Sequence, residues 1–194
     1  QFRKVVVKNT NWLSYAARSG IPLVGLDPSV VLTYRDEYLK IFGENKLPFE
    51  VLLPQEFLVK KLKNFPGHTV SISKKIQEYK LLGHCTEKTG AQLSQELWQD
   101  VFEAFGLSLE LITVGCCGMA GTYGHETDHF EESRGIYNLS WSKKIPEDPL
   151  LRQNILVSGF SCRTQVKRFE GFRPLHPLQA LLREIISVNS FKNE

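Results

Sequence analysis

The residues best equipped for chemistry in this chain are four cysteines and a histidine-rich pentad. Cys116 and Cys117 stand together in Gly115-Cys116-Cys117-Gly118, Cys85 follows Gly83-His84, and Cys162 lies in Gly159-Phe160-Ser161-Cys162-Arg163. A vicinal thiol pair is suited to ligate a soft metal or an iron–sulfur cluster through thiolates. Close behind it, His125-Glu126-Thr127-Asp128-His129 spells H-E-x-x-H, the helical signature of a zinc protease. The two signals point to different chemistry. A lone Cys is often no more than a small buried hydrophobe, but four of them in glycine-flanked loops argue against that reading.

Short apolar runs must position these residues. The stretches 21–27 (IPLVGLD), 78–84 (EYKLLGH), 109–115 (LELITVG) and 154–160 (NILVSGF) each end in glycine or turn residues, which predicts buried strands. Each precedes a stretch with helical potential. In 29–43 Val31, Tyr34, Tyr38 and Ile41 share a face closed by Gly43; in 91–106 Leu93, Leu97, Val101 and Phe105 line up before Gly106. Helices are also expected over 127–145 and 176–186. The alternation predicts an α/β fold, an open, mainly parallel sheet with flanking helices. Cys85, Cys116, Cys117 and Cys162 then all follow predicted strands, on the carboxyl edge where ligands bind in such sheets. Helix N-termini after those loops should favour thiolates. Four thiols on one edge read as one ligand set.

The pentad is weaker. In zinc proteases both His lie mid-helix with a third ligand on a following element, whereas His125 here leaves a glycine-rich loop. His68, His84 and His176 are the other histidines, and acidic residues downstream show no telling spacing. No hydrolytic site is expected. Glu126 should serve a helix N-terminus electrostatically, and His125 is a candidate hydrogen-bond donor to the thiolate site.

Global properties narrow the function classes. The 194 residues suffice for one domain and a sizeable core. A net charge of +3 with scattered basic residues gives no case for a nucleic-acid partner. Lys60-Lys61 and Lys143-Lys144 read as solvated faces. No apolar run approaches a membrane span, and no signal peptide is visible. Four cysteines are too few for a small disulfide framework. The chain opens on Gln1 and not on Met, so it is expected to be a fragment of something longer. G-x-G-x-x-G follows none of the predicted strands, so a flavin or nicotinamide site is not expected here.

Taken together, GHC at 83–85, GCCGMAG at 115–121 with Tyr123-Gly124 behind it, GFSCR-x-Q at 159–165 and the late His176-Pro177 resemble the cysteine-rich CCG domain. That domain occurs in the cysteine-rich component of heterodisulfide reductase and in the iron–sulfur component of glycolate oxidase. It also ends FAD-linked 2-hydroxy-acid dehydrogenases of the D-lactate or D-2-hydroxyglutarate type, to which the likeness is strongest. The resemblance covers nearly the whole chain in patches.

The resemblance implies an electron-transfer module of an oxidoreductase for a D-2-hydroxy acid, this segment not itself catalytic. A 4Fe–4S cluster would be held by Cys85, Cys116, Cys117 and Cys162. Gly115, Gly118 and Gly121 would bring backbone N–H groups close to it, with His84 and His125 behind. The partner would be an FAD-binding domain outside this chain, and a quinone or other carrier would accept the electrons. The location implied is the cytoplasm, with a peripheral contact to the inner membrane open to the full-length protein. Heterodisulfide reductases end the motif in C-x-x-C, and Gly159 replaces the first of these, which favours an ordinary four-ligand cluster. The first of two repeats usually ends like GLEPSC. Here that segment is Gly25-Leu26-Asp27-Pro28-Ser29-Val30, so residues 1–66 are expected to be the tail of a degenerate repeat and 67–194 the ligand-bearing one, both in one compact unit. Val30, lacking a lone pair, is expected to pack beneath the following helix.

Alternatives stay open for several residues. The same thiolates could hold a structural zinc ion in a docking module, although the long gaps between cysteines are unlike zinc ribbons. His84 either hydrogen-bonds the site or is a satisfied strand-end histidine. Arg163 and Gln165 either offset cluster charge or lie on a helix surface. Trp98, Phe102 and Phe105 are expected in the core, and Arg35-Asp36 to form a helix-face ion pair.

Overall fold

In the computed structural model, which describes residues 1–43, 47–64 and 78–190, strands and helices follow one another closely. Their order is α1 (Phe2–Arg18), β1 (Leu23–Val24), α2 (Pro28–Arg35), α3 (Glu37–Phe42), β2 (Val51–Leu52), α4 (Pro54–Asn64), β3 (Glu78–Leu82), α5 (Cys85–Gly90), α6 (Glu96–Ala104), β4 (Ser108–Ile112), α7 (Phe130–Ser140), α8 (Pro149–Arg152), β5 (Ile155–Val157), α9 (Phe160–Glu170) and α10 (Pro177–Ser190). His68 and the expected 66/67 boundary lie outside the described residues.

The fold is α/β, and all strand pairs are parallel, but the strands form two small sheets and not one. β3 is central in the order β4–β3–β5, with Lys80 opposite Glu110 on one side and Ile155 on the other. β1 pairs with β2 instead, Leu23 opposite Val51. β2 was not expected, because Pro54 opens α4 before its apolar run is long enough to show alternation. Arg35 reinforces the small sheet by donating to the Val51 carbonyl (2.8 Å) and to Glu56 of α4 (3.0 Å). Asp36 pairs with Lys40, so the two neighbours do not pair with each other as expected.

The side-chain period of two sorts β3 and β5 between two cores. Tyr79, Leu81 and Leu156 face Trp98, Val101, Phe102, Val59, Ala180 and Leu181. Leu82, Ile155 and Val157 face Val114, Met119, Tyr137, Trp141 and Val166, together with Cys117 and Cys162. A third cluster of Val6, Val31, Tyr38, Phe49, Val51 and Leu53 surrounds the small sheet. Each fully buried side chain of this size contributes roughly 1.5–3 kcal/mol.

Helix boundaries moved where side chains found better partners. The helix expected over 29–43 breaks at Asp36 (φ −119°, ψ −68°) into α2 and α3. The one expected from residue 91 begins at Glu96, since Ser94 turns its hydroxyl to buried Glu87 (2.9 Å). Leu93 is thereby left at φ 72° and 70 % exposed, and not on the core face. Trp98 and Phe102 are core residues as expected, and Phe105 packs at the edge of that core. α1 escaped the reading because its buried stripe, Val6, Thr10 and Ser14, is mostly polar. No helix among the described residues is long and apolar enough to cross a membrane.

Candidate metal centre

The strand order brings the four cysteines together. Cys85 is the first residue of α5, directly beyond central β3; Cys116 and Cys117 follow β4; Cys162 lies in the first turn of α9, beyond β5. Each stands close enough to the next to influence its ionisation: Cys85 with Cys116, Cys116 with Cys117, Cys117 with Cys162. All four are free thiols. Cys117 and Cys162 are 2 % and 0 % exposed, whereas Cys85, Cys116 and Cys117 also line a cleft of about 710 Å³.

The loop carrying Cys116 and Cys117 is held at nearly every peptide. Val114 O accepts from Lys88 Nζ, Gly115 N–H donates to Ser140 Oγ (2.9 Å), and Gly115 O accepts from Trp141 Nε1 (3.0 Å). Gln165 Nε2 donates to Cys117 O (2.9 Å) and Ser133 Oγ to Gly118 O (2.8 Å). Gly118, at φ 84°, lies so close to α7 that a Cβ would sit 2.2 Å from Ser133 O. Its N–H points at Cys116 Sγ (3.4 Å), and the Met119 N–H serves Cys117 in the same way. Sulfurs that receive backbone N–H groups are prepared to carry negative charge.

As neighbouring thiols, however, Cys85, Cys116 and Cys117 resist ionisation. Contact with Cys117, then burial, raises Cys116. For Cys117 the contact with Cys116 works downward, but Cys162 and burial outweigh it. Burial and the charge of Cys116 raise Cys85. The expected lowering by helix N-termini is overcome by crowding. A polycationic centre reverses such a balance, because it offsets the repulsion among thiolates and displaces their protons. A sulfur-only donor set backed by N–H groups therefore fits an iron–sulfur cluster. Among the described residues no group of three or more His, Cys, Asp or Glu is placed to hold a single metal ion.

His84 is a satisfied histidine beside this site. Its Nδ1 accepts from the Thr86 N–H (3.2 Å), which leaves the proton on Nε2, 3.3 Å from Ser161 Oγ. Burial holds its pKa below the ordinary value, against the pull of Asp27. A Cβ on Gly159 would lie 2.1 Å from the His84 ring, so the ring takes the space a side chain at 159 would need. Gln165 is fully buried, and not on a helix surface. Arg163 lines the cleft but spends its guanidinium on Pro174 O (2.9 Å) and Gln179 Oε1 (2.8 Å). Gly121 lines the cleft at φ 71°.

The pentad does not form a helix. His125 and His129 occupy two separate 3-10 turns with Glu126 extended between them, so they do not stack on one helical face. Glu126 Oε2 stands 3.0 Å from His129 Nδ1, without the angle of a hydrogen bond, and not at the start of α7. His129 stacks on Tyr123 with ring centroids 3.8 Å apart. His125 is exposed and outside the cleft lining.

Val30 overturns another expectation. It is 54 % exposed and lines the cleft; Val31 is the residue buried beneath α2. Asp27-Pro28-Ser29-Val30 run from N-cap to third helical residue of α2, as Gly159-Phe160-Ser161-Cys162 do in α9. Val30 and Cys162 thus occupy the same position on two helices facing one cleft.

The chain is similar to segments of D-2-hydroxyglutarate dehydrogenases. It is 46% identical over 186 residues to the enzyme of that name from Escherichia coli (strain K12), and 41% over 187 residues to that from Haemophilus influenzae. These alignments take in 96% and 94% of the chain but 18% of each relative, so the chain spans less than a fifth of their length. One subunit of the anaerobic glycerol-3-phosphate dehydrogenase of E. coli K12 is 27% identical over 197 residues, with 94% of the chain and 46% of that protein covered. No family model matches the chain, and no solved structure does.

Sequence reasoning missed the residues that hold the cysteine loop. Lys88, Ser133, Ser140 and Trp141 carry no local pattern, because their partners are distant carbonyls and amides. Asp27 did carry one: Asp before Pro and Ser is an N-cap signature.

Proposed function

We propose that this chain is the iron–sulfur electron-transfer segment of a flavin-linked dehydrogenase for a D-2-hydroxy acid, such as lactate or 2-hydroxyglutarate. The observation that carries this reading is the placing of four neighbouring cysteines beyond three adjacent parallel strands. The similarity to proteins named D-2-hydroxyglutarate dehydrogenase supports the oxidoreductase class. Cys85, Cys116, Cys117 and Cys162 would hold one 4Fe–4S cluster, which when bound takes and gives single electrons. The N–H groups of Gly118 and Met119 would stabilise charge on the sulfurs, and the two core cysteines would keep water from one side.

FAD would lie on a domain outside this chain, with a quinone or another carrier as acceptor, and the cytoplasm as location. Residues 1–66 would act as a scaffold half without ligands: Leu26, Asp27, Ser29 and Val30 wall the cleft, and Val30 has no lone pair for iron. A structural zinc ion held by the same four thiolates would need them around one point. A cluster instead takes its thiolates at separate irons.

Anaerobic reconstitution with iron and sulfide tests the proposal. About four of each per chain should be incorporated, with broad visible absorption bleached by dithionite. Cys85→Ser, Cys116→Ser, Cys117→Ser and Cys162→Ser should each weaken that one signal, with no independent signal surviving. Stoichiometric zinc without iron uptake would refute the cluster.

A further inference from the structure

A cation stands among the cysteine segments, and the function above does not use it. Lys88 lies one helical turn beyond Cys85 on α5, half-buried. Its ammonium donates to Val114 O, on the peptide run that leads into Cys116 and Cys117. Its field also reaches the sulfurs of Cys85 and Cys162. A single side chain thus ties α5 to the Cys116–Cys117 segment within reach of the charge of Cys162. Glu87 beside it spends its carboxylate hydrogen bonds on Gln55 (2.7 Å), Ser94 (2.9 Å) and Ser158 (3.1 Å), and Arg163, the cation next to Cys162, is turned to Pro174 and Gln179.

We propose that Lys88 is the positioning residue of the thiolate site, tethering the cysteine loop through Val114 and supplying the counter-charge that sets the potential of the centre. The inference rests on the cluster reading. Four thiolates bring more negative charge than an iron–sulfur core returns, and reduction adds one further electron. A fixed ammonium close to the sulfurs favours the more negative, reduced state, since cluster potential follows local charge and hydrogen bonding. In water such an exposed lysine would be worth little. Here partial burial limits screening and strengthens the interaction. Burial lowers the Lys88 pKa below the ordinary lysine value, and the charges of Cys85, Cys162 and Glu87 offset that only in part.

Charge and tether separate by substitution. Lys88→Gln keeps a donor for Val114 O and removes the charge, whereas Lys88→Arg keeps both. After anaerobic reconstitution, iron content and midpoint potential would be read by absorbance during a dye-mediated redox titration. Lys88→Gln should retain iron and shift the potential to more negative values, and Lys88→Arg should restore it. Full iron content with an unshifted potential in Lys88→Gln would overturn the proposal. Wild-type chain that takes up no iron would defeat the cluster reading itself. The thiols then decide about Lys88: iodoacetamide alkylation at fixed pH should slow severalfold in Lys88→Gln and recover in Lys88→Arg, and equal rates in all three would remove its role.

Discussion

At position 159 only a hydrogen fits, and that single fact bears on how many ligands the site has. The His84 ring fills the space of a side chain there, 2.1 Å from where a Cβ would stand. Its placement is itself constrained, with Nδ1 held by Thr86 and Nε2 beside Ser161. Gly159→Cys, which would complete a C-x-x-C pair, should therefore not contribute a fifth thiolate. It should displace His84 and cost about 1–3 kcal/mol, the usual range for overpacking, seen as a lower urea midpoint. Iron per chain should stay unchanged, and a gain would show that the ring yields. The cysteines were legible at this scale because they are rare and glycine-flanked. The fit of His84 against Gly159 was not, since the two are brought together by pairing of β3 with β5.

Two helix N-termini meet at Asp27. Its Oδ1 accepts from Ser29 N (3.0 Å) and Val30 N (3.4 Å) to cap α2, and its Oδ2 accepts from Phe160 N (2.8 Å), the first residue of α9. Burial works against this carboxylate, yet the Ser29 hydroxyl, the Phe160 amide and His84 hold its pKa below the ordinary value. One side chain thus fixes the angle between the helix that carries Cys162 and the one that carries Val30. Asp27→Ala should remove both caps at about 1 kcal/mol each, roughly 2 kcal/mol in denaturant unfolding. Asp27→Asn, with one acceptor oxygen, should fall between. An unchanged midpoint in Asp27→Ala would show that water replaces the carboxylate at both ends. The Asp-Pro-Ser cap of α2 was readable in sequence, whereas its second use on α9 was not.

Over the whole molecule, acid sensitivity should follow His176. This residue stands just before α10, accepts from Leu178 N (3.2 Å) and packs edge-on against Trp98 in the main core. Burial, aided by Arg163, lowers its pKa from 6.5 to about 4. As pH falls the unfolded chain takes this proton first. Stability from His176 is therefore full above about pH 6.5, declines to about pH 4 and is constant below. The loss is on the order of 3 kcal/mol. Glu87 acts with the opposite sign: burial raises its pKa despite its three donors, so its contribution weakens as pH rises through the carboxylate range. The difference between wild type and His176→Asn isolates the histidine. A variant whose unfolding free energy keeps the same slope between pH 6.5 and 4 would assign that slope elsewhere.

Sequence alone determined the strands β1, β3, β4 and β5, their parallel sense, and the cysteines beyond three of them. These follow from local facts: apolar runs of strand length, glycines that end them, and helical stretches that force crossover connections. Tertiary structure decided the rest. It separated β1 into a second sheet with β2, turned Val30 outward to the cleft, and started the helix expected from residue 127 only at Phe130, leaving His125 and His129 in separate turns. It also selected Gln165, Lys88, Ser133 and Trp141 to hold the cysteine loop. Those outcomes depend on which distant carbonyl or ring fills a given space, and a buried polar group must find a partner wherever the packed chain provides one. Spacing along the chain carries no record of that choice.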